Sequence, residues 1–253
     1  MRVGRWGASA AALAAALTLV GAAGAITYGA PDGTNGVTHP YVGALIATNS
    51  QGQKQLFCSG SLIAPTVFLT AAHCTAELEA HGVTQVWVTF DPQFSSASKL
   101  IAGRMHTDPL FAGLTGASTD PNDLAVITLA KQAGIAPVQL PAAGLLNSTP
   151  LKGSTFVNVG YGIHQDGVPW DATRWYSVSG FNALNAGILR TKQNPSLGFG
   201  GTCIGDSGGP QLFGAVEVAV TETGDPFCKS QNDGVRLDTA NARAFLGQYV
   251  TLP

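Results

Sequence analysis

The chain has 253 residues, of which 45% are hydrophobic and 11% charged, and its formal net charge is −2. That length allows one large domain or two smaller units sharing an interface, with enough apolar material for a sizeable core. The absence of any Lys/Arg cluster excludes a surface that neutralises nucleic-acid phosphates, and the 32 glycines and 14 prolines favour short strands and tight turns over long helices.

At the start of the chain, Arg2 and Arg5 precede a nearly uncharged apolar run from Ala8 to Val20, and Ala23-Gly24-Ala25 supplies the small residues a signal peptidase needs. The run is alanine-rich and shorter than the ~20 strongly apolar residues of a membrane span. Residues 1–25 therefore read as a signal peptide, and the mature protein is expected to be secreted, to start at Ile26 and to have no membrane attachment. Runs of strand length follow at Tyr41–Ala47, Ser61–Ile63, Val67–Thr70, Val83–Phe90, Leu124–Leu129, Phe156–Val159, Val216–Val220 and Gly234–Leu237. Most are β-branched or alternate in polarity, as half-buried strands do. A Pro/Gly/Ala-rich crossover from Gly134 to Thr149 separates two β units, about 26–135 and about 150–253. One helix is expected near the end, capped by Asp238 or Thr239, with Ala242, Phe245, Leu246, Tyr249 and Val250 on one face. The pattern predicts an all-β fold, two barrels followed by a C-terminal helix.

Four cysteines in an exported chain imply two disulfides, and the spacing leaves all three pairings open. No C-x-x-C element is present, which weighs against zinc or a dithiol redox centre. Neither metal nor cofactor is expected.

The segment CIGDSGGP (203–210) sets Ser207 among Gly205, Gly208 and Gly209. A serine hydroxyl is a poor nucleophile until a base takes its proton, and the base needs an anion to hold its tautomer. The five histidines, at 39, 73, 81, 106 and 164, all precede Ser207. That order excludes the G-x-S-x-G elbow of α/β-hydrolases, whose histidine follows the serine. Only His73, in "FLTAAHC", has a suggestive context. Asp123, in "NDLAVITL", opens an apolar strand, where a buried carboxylate needs strong partners. Taken singly, each is explained as well by a surface histidine and a turn aspartate.

Together, "FCSGSLIAPTVFLTAAHC", "NDLAVITL" and "GTCIGDSGGP" resemble the chymotrypsin/trypsin-like serine proteases, of a secreted, bacterial type. "VNVGYGI" (157–163), with Tyr161 for the family's Trp, and "HPYVGAL" (39–45) extend the likeness along the mature chain. The resemblance implies two six-stranded antiparallel β-barrels and a monomer acting on peptide or protein substrates. It assigns Ser207 as nucleophile, His73 as base, Asp123 as its orienting anion, and the N–H groups of Gly205 and Ser207 as the oxyanion hole. It implies the disulfides Cys58–Cys74 and Cys203–Cys228, and an activating pair between the Ile26 amine and Asp206. The specificity pocket falls on Gly201, Thr202, Thr221, Glu222 and Gly234. Gly201 stands where an acid would attract Lys or Arg, so small or medium uncharged residues are the expected substrates, unless Glu222 projects inward. His39, His81, His106 and His164 match no functional position. Two other readings share the fold: an esterase or narrow-substrate hydrolase, and a catalytically silent binding module.

Overall fold

The computed structural model describes residues 26–113, 119–163 and 170–253. The leader expected over residues 1–25, and His164, lie outside the described residues. Thirteen strands, β1 to β13, and three α-helices, α1 to α3, are described. Strands β2 (Val42–Thr48), β3 (Lys54–Ala64), β4 (Val67–Thr70), β5 (Val86–Thr89), β6 (Ile101–Thr107) and β7 (Ala125–Leu129) close a barrel in the order β2-β3-β4-β7-β6-β5. In the second unit, β8 (Thr155–Gly160), β9 (Trp175–Leu184), β10 (Ile188–Lys192), β13 (Gln231–Arg236), β12 (Val216–Gly224) and β11 (Pro210–Phe213) follow one another, and β11 pairs back to β8. The short β1 (Ala30–Pro31) joins the end of β9, which ties the start of the described chain to the second barrel. Closure leaves no long unpaired edge, so short strands suffice.

Leu45, Ile46, Leu62, Phe68, Leu69 and Ile127 of the first unit and Phe156, Leu189 and Val218 of the second are all fully buried. Each such side chain contributes about 1.5–3 kcal/mol by leaving water. Between the barrels, the Tyr161 hydroxyl donates to the Asp91 carbonyl at 2.8 Å and accepts from the Arg174 guanidinium at 3.1 Å. Burial pushes that phenol up to about 12. Both disulfides are formed, Cys58–Cys74 and Cys203–Cys228.

Helix α3 (Ala240–Leu246) is capped by Thr239, whose hydroxyl accepts from the Ala242 N–H, and it buries Ala242, Phe245 and Leu246 as its periodicity predicts. Two helices are additional to expectation: α1 (Ala72–Ala80) and the one-turn α2 (Leu145–Ser148) inside the crossover. Helix α1 has no side-chain cap and its buried residues include Cys74 and Thr75, so it lacks the apolar stripe that would betray it. Strands β6, β9, β10 and β11 were also not evident from hydrophobic alternation. In β9 the reason is chemical, because Ser177 and Ser179 point into the barrel and receive the Asn158 amide at 3.3 and 3.0 Å.

Candidate active site

Strand β4 pairs with β7 so that Thr70 lies opposite Ala125. His73, three residues beyond Thr70, and Asp123, two before Ala125, are thereby brought to the same end of one strand pair. The Asp123 carboxylate is fully buried and grips His73 twice. Its Oδ1 accepts the His73 backbone N–H at 2.6 Å, and its Oδ2 lies 2.6 Å from the ring Nδ1. An ionised carboxylate only accepts, so the contact places the proton on Nδ1 and leaves Nε2 as the basic nitrogen.

The serine loop belongs to the second barrel and is pinned from both sides. From the first barrel, the Ser59 N–H donates to the Ser207 carbonyl at 2.9 Å, and the Ser59 hydroxyl to the Gly205 carbonyl at 2.8 Å. From β12, the Thr221 carbonyl accepts from Gly208 at 2.8 Å, while the Thr221 N–H donates to Gly209 at 2.8 Å. A Cβ on Gly208 would stand 2.2 Å from the Thr70 hydroxyl and 2.4 Å from the Ser59 carbonyl. This close approach carries Ser207 to the strand end from which His73 emerges.

The N–H groups of Asp206, Gly208 and Gly209 all have backbone acceptors, at 3.0, 2.8 and 2.8 Å. Those of Gly205 and Ser207 donate to no described residue. Gly205 holds φ at +95° with its missing Cβ 2.9 Å from the Gly162 Cα, a position closed to a side chain. Two free donors beside a serine suit a developing oxyanion, and removing one such donor typically costs about 3–4 kcal/mol of transition-state stabilisation.

Asp206 is fully buried. It accepts from the Gly162 and Cys203 N–H groups at 2.8 and 2.9 Å and pairs with no described cation. Burial pushes its carboxyl from 3.8 up to about 7, against the pull of those two hydrogen bonds. Ile26 is fully buried beside Trp175, and Thr27 bridges to Gly201, whose N–H donates to the Thr27 carbonyl at 3.0 Å. The start of the described chain thus lies against the segment leading to Asp206.

A cavity of about 470 Å³ opens beside Ser207, lined by Thr202, Ile204, Thr221, Glu222 and Asp225 among others. Gly201 and Gly234 do not line it, contrary to expectation. The space beside Gly201 is filled by the Gln193 side chain and the Asn232 amide, and that beside Gly234 by the Gln211 amide and Ala219. Asn232 Oδ1 accepts from the Thr202 N–H and hydroxyl at 3.0 and 2.9 Å and from Gln193 at 2.8 Å. No motif marks Gln193 or Asn232, since their role arises only from pairing across β10 and β13. Glu222 is buried, accepts the Asp120 N–H, and has its carboxyl pushed up to about 8, chiefly by burial. Cys58, His73 and Cys74 converge as metal ligands would, but the disulfide consumes both sulfurs.

A family model described as Trypsin matches residues 30–245. Glucanase inhibitor protein 3 of Phytophthora sojae is 31% identical over 169 residues, which cover 62% of this chain and 61% of that protein. The chain thus spans about three fifths of the length of that relative. Trypsin alpha of Drosophila erecta is 25% identical over 210 residues, covering 75% of this chain and 76% of the relative. The solved structure of HL collagenase superposes with a TM-score of 0.60 at 19% identity, over 83% of this chain and 92% of the collagenase, a likeness of fold. The expected bacterial type is not borne out by these relatives.

Proposed function

The chain belongs to the trypsin family, and from that premise we propose that it is a secreted serine endopeptidase acting through Ser207, His73 and Asp123. The observation that carries this reading is the doubly held His73–Asp123 pair, set at the strand end that the serine loop approaches. In this mechanism His73 Nε2 takes the Ser207 proton as Oγ attacks a peptide carbonyl. The N–H groups of Gly205 and Ser207 hold the resulting oxyanion. The imidazolium, steadied by Asp123, then protonates the leaving amine. Water, activated by the same imidazole, hydrolyses the acyl-enzyme. Acting as base requires the imidazole of His73 to be neutral before the attack.

Two disulfides and the leader support export. Cleavage after Ala25 would free the Ile26 amine to pair with Asp206, which is buried and has no cation partner among the described residues. The likeness to a glucanase inhibitor favours a second reading, a silent binding module on the same fold. An esterase remains the third. Labelling with an organophosphorus fluoride separates them. Modification of Ser207 together with turnover of a peptide amide supports the endopeptidase, turnover of small esters alone supports an esterase, and neither supports a binding module.

A further inference from the structure

The base and its aspartate stand on the first barrel and the nucleophile on the second, so catalysis depends on how the two are held in register. Residues 221 and 222 of β12 touch both. Thr221 exchanges backbone hydrogen bonds with Gly208 and Gly209 of the serine loop at 2.8 Å each. Next to it, Glu222 is the extra residue of a β-bulge: Thr221 pairs with Gly234 and Thr223 with Asp233, leaving Glu222 without a partner on β13. Bulges re-aim side chains, often next to active sites. This one sends the Glu222 carboxyl across to the first barrel, where Oε1 accepts the Asp120 N–H. The Asp120 carbonyl in turn accepts the Asp123 N–H at 3.0 Å, and the Asp120 carboxylate takes the Asn122 and Ala112 N–H groups at 2.9 and 2.7 Å. A continuous chain of hydrogen bonds therefore runs from the cavity wall to the anion that orients His73.

We propose that Glu222 is a positioning residue, whose bulge-directed carboxyl ties the strand lining the substrate cavity to the loop that carries Asp123. The proposal rests on the endopeptidase reading. The carboxyl faces Asp120 and Asp123 on the loop, with His73 of α1 behind Asp123. Asp233 of β13, paired to Arg190 of β10, and Asp225 beyond the strand complete its charged surroundings. Oε2 is buried without a partner. The group therefore works as a neutral acid, and its ionisation near 8 drives it away from its acidic neighbours and loosens the tie.

The test measures kcat and KM on one peptide amide from pH 6 to 10 for the wild type, Glu222→Gln and Glu222→Leu. Leu removes the acceptor, and turnover is expected to fall about 10- to 100-fold, as misplacement of a catalytic group does, with KM changed less than about threefold. Gln keeps an oxygen for the Asp120 N–H, so it recovers most of the turnover but loses the decline centred near pH 8. Hydrogen exchange of the Asp120 amide, measured independently of activity, is expected to be faster in Glu222→Leu. Wild-type turnover in Glu222→Leu, a rise in KM alone, or an unchanged alkaline decline in Glu222→Gln would each overturn the proposal. If the Leu variant does not fold, the pH profile of the Gln variant decides. If the wild type neither cleaves amides nor takes the label, the endopeptidase reading fails, and the Asp120 exchange rate still decides the tie.

Discussion

Replacing Asp206 by Asn should change stability with opposite sign before and after the chain is cut at Ile26. In the uncut protein the Asp206 carboxyl is fully buried, without a described cation, and held at about 7 against an ordinary value of 3.8. An acid whose folded pKa is raised binds protons more tightly when folded. Its contribution is therefore intact below about 3.8, is lost progressively as pH rises, and stops falling above about 7. The full loss is about 4 kcal/mol, of which about 3 kcal/mol falls between pH 5 and pH 8. Asn cannot ionise, so this slope disappears. Its amide NH₂ leaves one of the Gly162 and Cys203 donors unpaired, a cost of about 1–3 kcal/mol. At pH 8 the uncut variant should thus be more stable than its parent by about 2 kcal/mol. In the cut protein the Ile26 ammonium neutralises Asp206, and Asn strands a buried cation, costing about 3–5 kcal/mol. The assay is urea unfolding of four proteins at pH 5 and pH 8, cut and uncut, all carrying Ser207→Ala to prevent self-cleavage. Glu217 and Glu222 titrate in all four, so the double difference isolates residue 206. The same sign in both forms would refute the pairing of Ile26 with Asp206.

Ser207→Ala and His73→Ala should each lower kcat by several orders of magnitude and the double variant little further, because the residues act as a unit; near-additive losses would show the pair misassigned. Glu217 is fully buried, takes the Ser61 hydroxyl at 2.5 Å and is pushed up to about 8 by burial. Stability should therefore decline as pH rises from about 4.5 through 8, and Glu217→Gln should flatten that decline in urea midpoints at pH 5 and 9; an unchanged slope would place the titration elsewhere. Gly208→Ala should abolish activity and destabilise the protein by more than about 1–3 kcal/mol, since its methyl meets Thr70 and the Ser59 carbonyl. Gly144→Ala, with φ +67° and open space around it, should cost only about 1–3 kcal/mol of backbone strain and leave kcat unchanged.

The serine segment of the candidate site was legible because its geometry is written in adjacent residues. The glycines around Ser207 are there because Gly208 must press on Thr70 and Gly205 must take a left-handed φ, and both demands show as composition. The His73–Asp123 meeting was legible only through family likeness, since nothing local states that β4 pairs with β7. The first barrel was read more fully than the second, and burial explains the difference. Apolar runs such as VFLT and AVITL fill the first barrel, whereas β9 brings Ser177 and Ser179 inside to satisfy Asn158. A polar interior erases the alternation on which strand reading depends.

The pocket was misread for a related reason. Position relative to Ser207 suggested that Gly201 and Gly234 leave an open, neutral floor. Their missing side chains instead make room for amides: Gln193 and Asn232 behind Gly201, and Gln211 behind Gly234. Those amides come from β11, β13 and the residue just after β10, so no short motif could have joined them to the serine segment. With the glycines walled off, Thr202, Thr221 and Glu222 supply polar wall to the cavity beside Ser207, and Thr221 and Glu222 each have a side-chain oxygen buried without a partner. The cavity wall also carries Asp225, so it holds two acids, of which Glu222 is kept protonated up to about 8, chiefly by burial.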